Sequence, residues 1–289
     1  MLKSIIKLIR IKQWVKNAFV ITPLLFSLNF MQPFAVINTM LAFVAFCFVA
    51  SFVYVVNDIC DRKKDAVHPV KKKRPIASGK ISPRQGVMIA LVCLGIAALC
   101  LYELSVPKVA LVLALYLVMN FLYSVKLKHI ALLDVLIIAV GFILRVYAGA
   151  YAIGVPVSSF IFMTTLFLSL FLGFTKRKAE LSGTGSQTRK VLRVYSEAMI
   201  NQYIIISAAL TIMCYALYTL EPSTIARFET NRLIYSIVFV IYGIFRYIAI
   251  LDGNENIEDP TENLLKDKGL MSACALYVLY VFLLFINLI

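Results

Sequence analysis

Charge is scarce in this chain, and negative charge is scarcer still. Only 15% of the 289 residues are charged, Asp and Glu number 15 against 29 Lys and Arg, and 61% of the chain is apolar, with a mean hydropathy of +0.87. That balance excludes a water-soluble globular protein, because one core could not hide so much apolar surface. Histidine is nearly missing, with His68 and His129 the two in the chain. Both fall in expected loops, where a lone histidine is more often solvated than catalytic, which argues against a histidine general base. The six cysteines, at 47, 60, 93, 100, 214 and 274, form no CxxC pair and lie mostly in apolar runs. Thiols there behave as small hydrophobes, so neither disulfides nor zinc is expected. The first apolar stretch lacks an A-x-A-like exit and follows a long basic segment, so no cleavable signal is expected either. The single tryptophan, Trp14, reads as an interface anchor.

What the chain has instead is a succession of apolar runs. Crossing about 30 Å of hydrocarbon takes about 20 residues. Such stretches fall near 16–31, 36–56, 85–104, 106–124, 130–152, 157–175, 198–220, 231–251 and 269–288. They predict an all-α, polytopic membrane protein with about nine transmembrane helices, forming one integral-membrane domain over residues 1–289. The first run is broken by Thr22, Pro23 and Asn29. Ahead of it, LKSIIKLIRIKQW sets Lys3, Lys7 and Arg10 on one helical face and Ile5, Ile6 and Ile9 largely on another, so residues 1–14 read as an interfacial amphipathic helix.

A net charge of +14 suits nucleic acid, anionic lipid or small anionic substrates. Position decides among them. Residues 3–16, 62–84, 126–128, 176–193 and 246–268 hold 25 of the 29 Lys and Arg. The alternate loops carry Lys108, Arg227 and Arg232, and Arg145 stands inside a span. The positive-inside bias therefore puts the N-terminus and the basic loops in the cytoplasm, and nine spans put the C-terminus outside. Membrane lipid and small anions are the expected partners, with no nucleic acid.

The chemistry concentrates after the second run. Asn57, Asp58, Asp61 and Asp65 follow at helical spacing and share one face. Carboxylates so crowded repel unless a cation lies between them, and hard oxygen ligands suit magnesium, which commonly also holds substrate phosphates. A solvated helix end whose acids pair with Arg62, Lys63 and Lys64 is the plainer alternative. The cations that follow, Lys71, Lys72, Lys73 and Arg74, favour the metal, since a magnesium–phosphate site needs both signs. Attraction to anionic lipid also accounts for part of the lysine cluster. Two more polar stretches belong to the same side: Tyr123, Ser124, Lys126 and Lys128, then Thr175, Lys176, Arg177, Lys178 and Glu180. Arg145 and Asp134 lie in one span; Arg145 reads as an anion ligand or as the partner of Asp134.

The pattern NDxxDxxxDxxHPxKxxRPIASG over residues 57–79 resembles the UbiA superfamily of intramembrane prenyltransferases, as does YSVKLK at 123–128. The resemblance implies helices around a central cavity capped on the cytoplasmic side, with magnesium on aspartates activating a prenyl diphosphate. One motif departs: where a second DxxxD is expected after the sixth span, the chain has KRKAE at 176–180. With KQWVKN at 12–17, YSVKLKHIALLD at 123–134, GFILRVYAG at 141–149, RYIAILD at 246–252, and Pro260 with LLKDKGL, this departure resembles the decaprenyl-phosphate phosphoribosyltransferase branch.

That branch implies a bacterial inner-membrane enzyme moving 5-phosphoribose from phosphoribosyl pyrophosphate to a polyprenyl phosphate. Asn57, Asp58, Asp61 and Asp65 then hold Mg2+ on the pyrophosphate, with Asp58 and Asp61 catalytic. Gln13, Lys16 and Asn17 bind phosphate or ribose hydroxyls. Lys73, Arg74, Tyr123, Ser124, Lys126, Lys128, Asp134, Arg145, Lys176 and Arg177 complete the substrate set. Glu180 has three roles open to it: metal ligand, ribose ligand, or partner of Lys176. A homo-oligomer is left open, as is closure of the 182–193 loop, against an ordinary linker. The 252–267 stretch is expected at the cytoplasmic rim. The rival within the family is a conventional prenyltransferase. A transporter fits less well, since its binding residues tend to lie at mid-membrane and not crowded at one surface.

Overall fold

The computed structural model describes residues 1–68, 70–182, 190–253 and 267–286, and no strand occurs among them. Most of the 182–193 loop, nearly all of the 252–267 stretch with Pro260, and Pro69 lie outside the described residues. Eight helices among the described residues are long and apolar enough to cross a membrane. They coincide with eight of the nine expected runs.

Contacts gather the chain into two compact units, Met1–Val125 with Leu144–Pro156, and Lys126–Ile143 with Val157–Ile289. The first contains α1 (Leu2–Leu8), a 3₁₀ segment (Ile11–Val20), α2 (Thr22–Phe26), α3 (Pro33–Cys60), α4 (Arg62–Val67), α5 (Pro83–Leu104) and α6 (Pro107–Val125). Helix α7 (Leu133–Ala152) gives its second half to this unit and its first half to the other. The second unit continues with α8 (Ser159–Ser182), α9 (Glu197–Leu220), α10 (Pro222–Phe228), α11 (Ile237–Gly253) and α12 (Lys268–Phe285). Proline opens α3, α5, α6 and α10, where its missing N–H costs nothing and its fixed φ suits the first turn. Ser82 and Gln85 add a full capping box to α5, which satisfies two orphan donors reciprocally.

Helix α3 has 28 residues, so it is about 42 Å long and outreaches about 30 Å of hydrocarbon. Its surplus turns carry Asn57 and Asp58 beyond the apolar layer. The ninth apolar stretch, 16–31, is not one helix: the 3₁₀ segment, α2 and a short 3₁₀ turn at Asn29–Met31 succeed one another, with Leu28 left-handed at φ 59° between them.

A ten-residue 3₁₀ run is unusual, and its contacts with α3 and α7 explain it. Three residues per turn stack Trp14, Asn17 and Val20 along one edge, and that edge faces α3 and α7. Trp14 Nε1 donates to Ser51 Oγ at 3.0 Å, and Asn17 Nδ2 donates to Cys47 Sγ at 3.1 Å. One 3₁₀ turn rises about 6 Å, as do four α-helical residues, so an antiparallel match of 14/17 to 51/47 stays in register. Trp14 is thus tied to the protein by its indole, and its half-buried ring meets Phe48 edge-on.

At the end of this edge, a Cβ on Gly149 would lie 1.9 Å from the carbonyl oxygen of Val20. Only glycine lets the two backbones approach so closely. Gly149→Ala is expected to force the 3₁₀ segment off α7 and destabilise the protein by roughly 1–3 kcal/mol, as overpacking does. A thermal midpoint within about 2 °C of the parent, the smallest shift such a cost permits, would contradict this contact.

Candidate active site

The first cluster is built at the cytoplasmic end of α3. Asp61 is the hinge between α3 and α4, and the backbone N–H groups of Asp61 and Asp65 donate to the carbonyls of Asn57 and Asp61. The near-continuous helix keeps Asp58 and Asp65, two turns apart, on one face. Both are buried, at 2% and 4% exposure.

The chain then returns through a 3₁₀ turn at Lys71–Lys73 to Arg74. Ile76, fully buried beside Leu8, Val55, Ile81 and Ala90, anchors the RPIASG turn. Ser78 N–H donates to the Arg74 carbonyl, and Gly79 takes φ +74°. That anchor aims Arg74 back at the acids: its Nη1 donates to Asp58 Oδ1 at 3.1 Å and to Asp65 Oδ2 at 2.7 Å. His68 accepts at Nδ1 from the N–H groups of Val70 and Lys71, which gives this histidine a turn-forming role.

A second guanidinium arrives from a residue whose sequence pattern placed it only on a basic helix face. Arg10 Nη2 donates to Asp58 Oδ1 at 2.6 Å, and its guanidinium also lies over the Tyr54 ring. Arg10 is left-handed, at φ 55°. Such strain persists only where neighbours hold it, and buried Ser51 does so by donating to the Ile9 carbonyl at 2.8 Å. Lys7 Nζ donates to the Lys73 carbonyl, while Leu8, Ile5 and Ile9 pack on the cluster around Ile76. Helix α1 therefore buries part of its apolar face on protein, leaving Leu2 and Ile6 exposed. A polar Ser51 within the apolar stretch between Thr39 and Asn57 was the available signal; nothing distinguished Arg10 from Lys3 or Lys7.

Ser124 donates to Asn57 Oδ1 at 2.9 Å, joining two expected site residues. Asp61 is half-buried, and its carboxylate makes no hydrogen bond or ion pair among the described residues. Gln13, Lys16 and Tyr123 are half-buried and Lys73 is exposed.

Asn17 and Arg145 lie deeper in the same unit. Arg145 Nε donates to Asn17 Oδ1 at 2.8 Å and Nη2 to Tyr116 Oη at 3.2 Å, with the guanidinium over the Phe46 and Tyr116 rings. Both are buried. Their mutual bond joins the 3₁₀ segment to α7, and neither is in the carboxylate cluster.

The remaining expected residues belong to the second unit. Arg177, 1% exposed, contacts Asp134 Oδ2 through Nε at 2.7 Å and Glu180 Oε2 through Nη1 at 2.5 Å. The Nε contact is a close ion pair whose N–H is not aimed as a hydrogen bond. Tyr195 donates to Asp134 Oδ1 at 2.9 Å and accepts from the Leu132 N–H at 2.6 Å. Burial, helped by the bond to Asp134, pushes the Tyr195 hydroxyl up to about 12, which keeps it a donor. Arg177 and Glu180 of KRKAE thus form a closed ion cluster with Asp134. Lys178 pairs with Asp252; Lys126 is exposed, and Lys128 and Lys176 are half-buried. Arg246 grips Asp267, which also caps α12; the guanidinium holds the Asp267 carboxyl below the usual range.

The donor set Asn57, Asp58, Asp61 and Asp65 is hard oxygen throughout, which suits magnesium. The Asp58 and Asp65 oxygens also converge on a cation, the Arg74 guanidinium. Among the described residues, however, no three His, Cys, Asp or Glu are gathered closely enough to hold a metal by themselves. The residues fit a magnesium ion whose remaining ligands come from water or substrate oxygens.

Comparison with known proteins agrees with this frame. Residues 18–259 match the UbiA prenyltransferase family. A structure of a UbiA homolog from Archaeoglobus fulgidus bound to GPP and Mg2+ superposes with a TM-score of 0.74 at 18% identity, covering 98% of this chain and 99% of that one. The chain belongs to the UbiA prenyltransferase family. Within it, the chain is similar to the decaprenyl-phosphate phosphoribosyltransferases, enzymes of the pentosyltransferase class. It is 32% identical to that of Mycobacterium tuberculosis over 92% of this chain and 89% of the relative. It is 34% identical to that of Corynebacterium glutamicum over 92% and 82%.

Proposed function

We propose that the protein transfers 5-phosphoribose from phosphoribosyl pyrophosphate to a polyprenyl phosphate in the bacterial inner membrane, with Mg2+ as cofactor and the site on the cytoplasmic side. The observation that carries this reading is the pair Asp58 and Asp65 at the membrane-exit end of α3 with two guanidinium groups on it. Carboxylate oxygens for a metal and cations for phosphate oxygens are what a departing diphosphate requires. Likeness to the phosphoribosyltransferases over most of the chain supports phosphoribosyl pyrophosphate as the donor.

Bound magnesium would supply charge neutralisation to the pyrophosphate. Asp58, Asp61 and Asp65 would hold it, with Asn57 oriented by Ser124. Arg74, Arg10 and Lys73 would bind pyrophosphate oxygens. The acceptor phosphate is already an anion, so no general base is needed. One of its oxygens attacks the anomeric carbon in line as the bond to the pyrophosphate oxygen breaks and that electron pair leaves with pyrophosphate. Lys126, Lys128 and Lys176, with Gln13 and Lys16, are the cations and donors proposed for the other phosphates and ribose hydroxyls. Leu2 and Ile6, exposed on α1, would rest α1 in the lipid interface.

Purified protein given labelled phosphoribosyl pyrophosphate, polyprenyl phosphate and Mg2+ is expected to form a chloroform-soluble labelled product, and EDTA to abolish it. Absence of product refutes the reading. The neighbouring structure with GPP supports one alternative, transfer of a prenyl group from its diphosphate to an aromatic or other small acceptor, and the same assay with GPP and such an acceptor tests it.

A further inference from the structure

We propose that Arg10 and Arg74 keep divalent metal out of the Asp58–Asp65 pair until a diphosphate draws the guanidinium groups away, so that metal and diphosphate enter together. The inference rests on the diphosphate-site reading above. Its starting point is that both guanidinium groups share one oxygen, Asp58 Oδ1, at 2.6 and 3.1 Å, while Arg74 also spans to Asp65 at 2.7 Å. A magnesium ion bonds such an oxygen at about 2.1 Å, from the side where Arg74 bridges the carboxylates. Guanidinium and metal cannot share that position.

The charges agree with the geometry. Two carboxylates facing two guanidinium groups sum to zero, leaving little attraction for a bare divalent ion. A diphosphate changes the balance, because guanidinium pairs bidentately with phosphate oxygens, which frees both carboxylates and brings further oxygens for the metal. The swap needs only side-chain motion. Burial of Ile76 fixes the Arg74 backbone, and Ser51 fixes the turn at Arg10. The Arg10 and Arg74 side chains are 27% and 28% exposed, open enough to turn toward an incoming anion.

Equilibrium dialysis of the full chain in nanodiscs against radioactive Mn2+, with and without inorganic pyrophosphate, reads this directly, since the small manganese–pyrophosphate complex equilibrates across the membrane. The wild type is expected to hold Mn2+ weakly alone and about one equivalent with pyrophosphate. Arg74→Gln is expected to tighten binding of Mn2+ alone about fivefold, the worth of one screened, part-exposed charge pair, and to lose most of the pyrophosphate enhancement. Arg10→Gln is expected to shift the same way by less. Mn2+ bound as tightly alone as with pyrophosphate overturns the proposal, as does wild type that retains no Mn2+ under either condition. A folded Arg74→Gln with unchanged affinity for Mn2+ overturns it too, folding being checked by its thermal midpoint. If that variant does not fold, the two wild-type arms decide. The measurement involves neither ribose nor lipid acceptor, so its outcome stays distinguishable from a failure of the phosphoribosyl assay.

Discussion

Asp58→Asn is expected to lower phosphoribosyl transfer by about a hundredfold or more, the scale at which loss of one preorganised group stabilising transition-state charge is felt, while the protein stays folded. The carboxylate is 2% exposed and receives both Arg10 and Arg74. An amide of the same shape keeps one oxygen but loses the charge that a metal needs. Its cost in stability is modest because the Arg10 and Arg74 side chains are each more than a quarter exposed and regain water when their partner is neutralised. Initial rates with labelled donor and a thermal midpoint on the same preparation separate the effects. Full magnesium-dependent activity in this variant would remove Asp58 from the metal site.

Much of the fold could be read from the sequence because hydrocarbon imposes a length. Eight of the nine expected runs are helices of spanning length, and the polar loop at 57–79 stands at the end of the longest. The stretch at 16–31 resisted because its conformation depends on distant partners. Ser51, Cys47 and Gly149 are what make a three-residue period along 14, 17 and 20 a buried edge, and no local pattern announces them.

The site was legible in the same uneven way. Asp58, Asp65 and Arg74 share one loop, and their spacing predicted a cluster of both signs. Arg10 reaches Asp58 from 48 residues away through a left-handed turn that sequence statistics disfavour for arginine. Arg145 and Asp134 stand in one helix, eleven residues and about 16 Å apart, so each finds other partners: Arg145 takes Asn17 and Tyr116, and Asp134 takes Arg177 and Tyr195. A buried charge requires a partner, but the sequence does not say which.

Arg177 makes the complementary case, because its cluster also sets two carboxylates against guanidinium, one group in place of two, and differs in the exposure of the cation, 1% against 27% and 28%. Arg177→Leu strands the Asp134 and Glu180 carboxylates with no water to receive the first of them. It is expected to destabilise the protein by about 3–5 kcal/mol, the cost of breaking a buried pair from one side, which lowers the thermal midpoint by roughly 10 °C. Neutralising all three together, with Arg177→Leu, Asp134→Asn and Glu180→Gln, should recover most of that loss, since a buried ion group is often replaceable as a whole where it is not replaceable in part. An unshifted midpoint in the single variant would contradict the closed cluster. The triple variant then separates two roles for this cluster: transfer activity that returns with stability makes it an internal tie, whereas a stable but inactive protein places at least one of Asp134, Arg177 and Glu180 on the substrate as well.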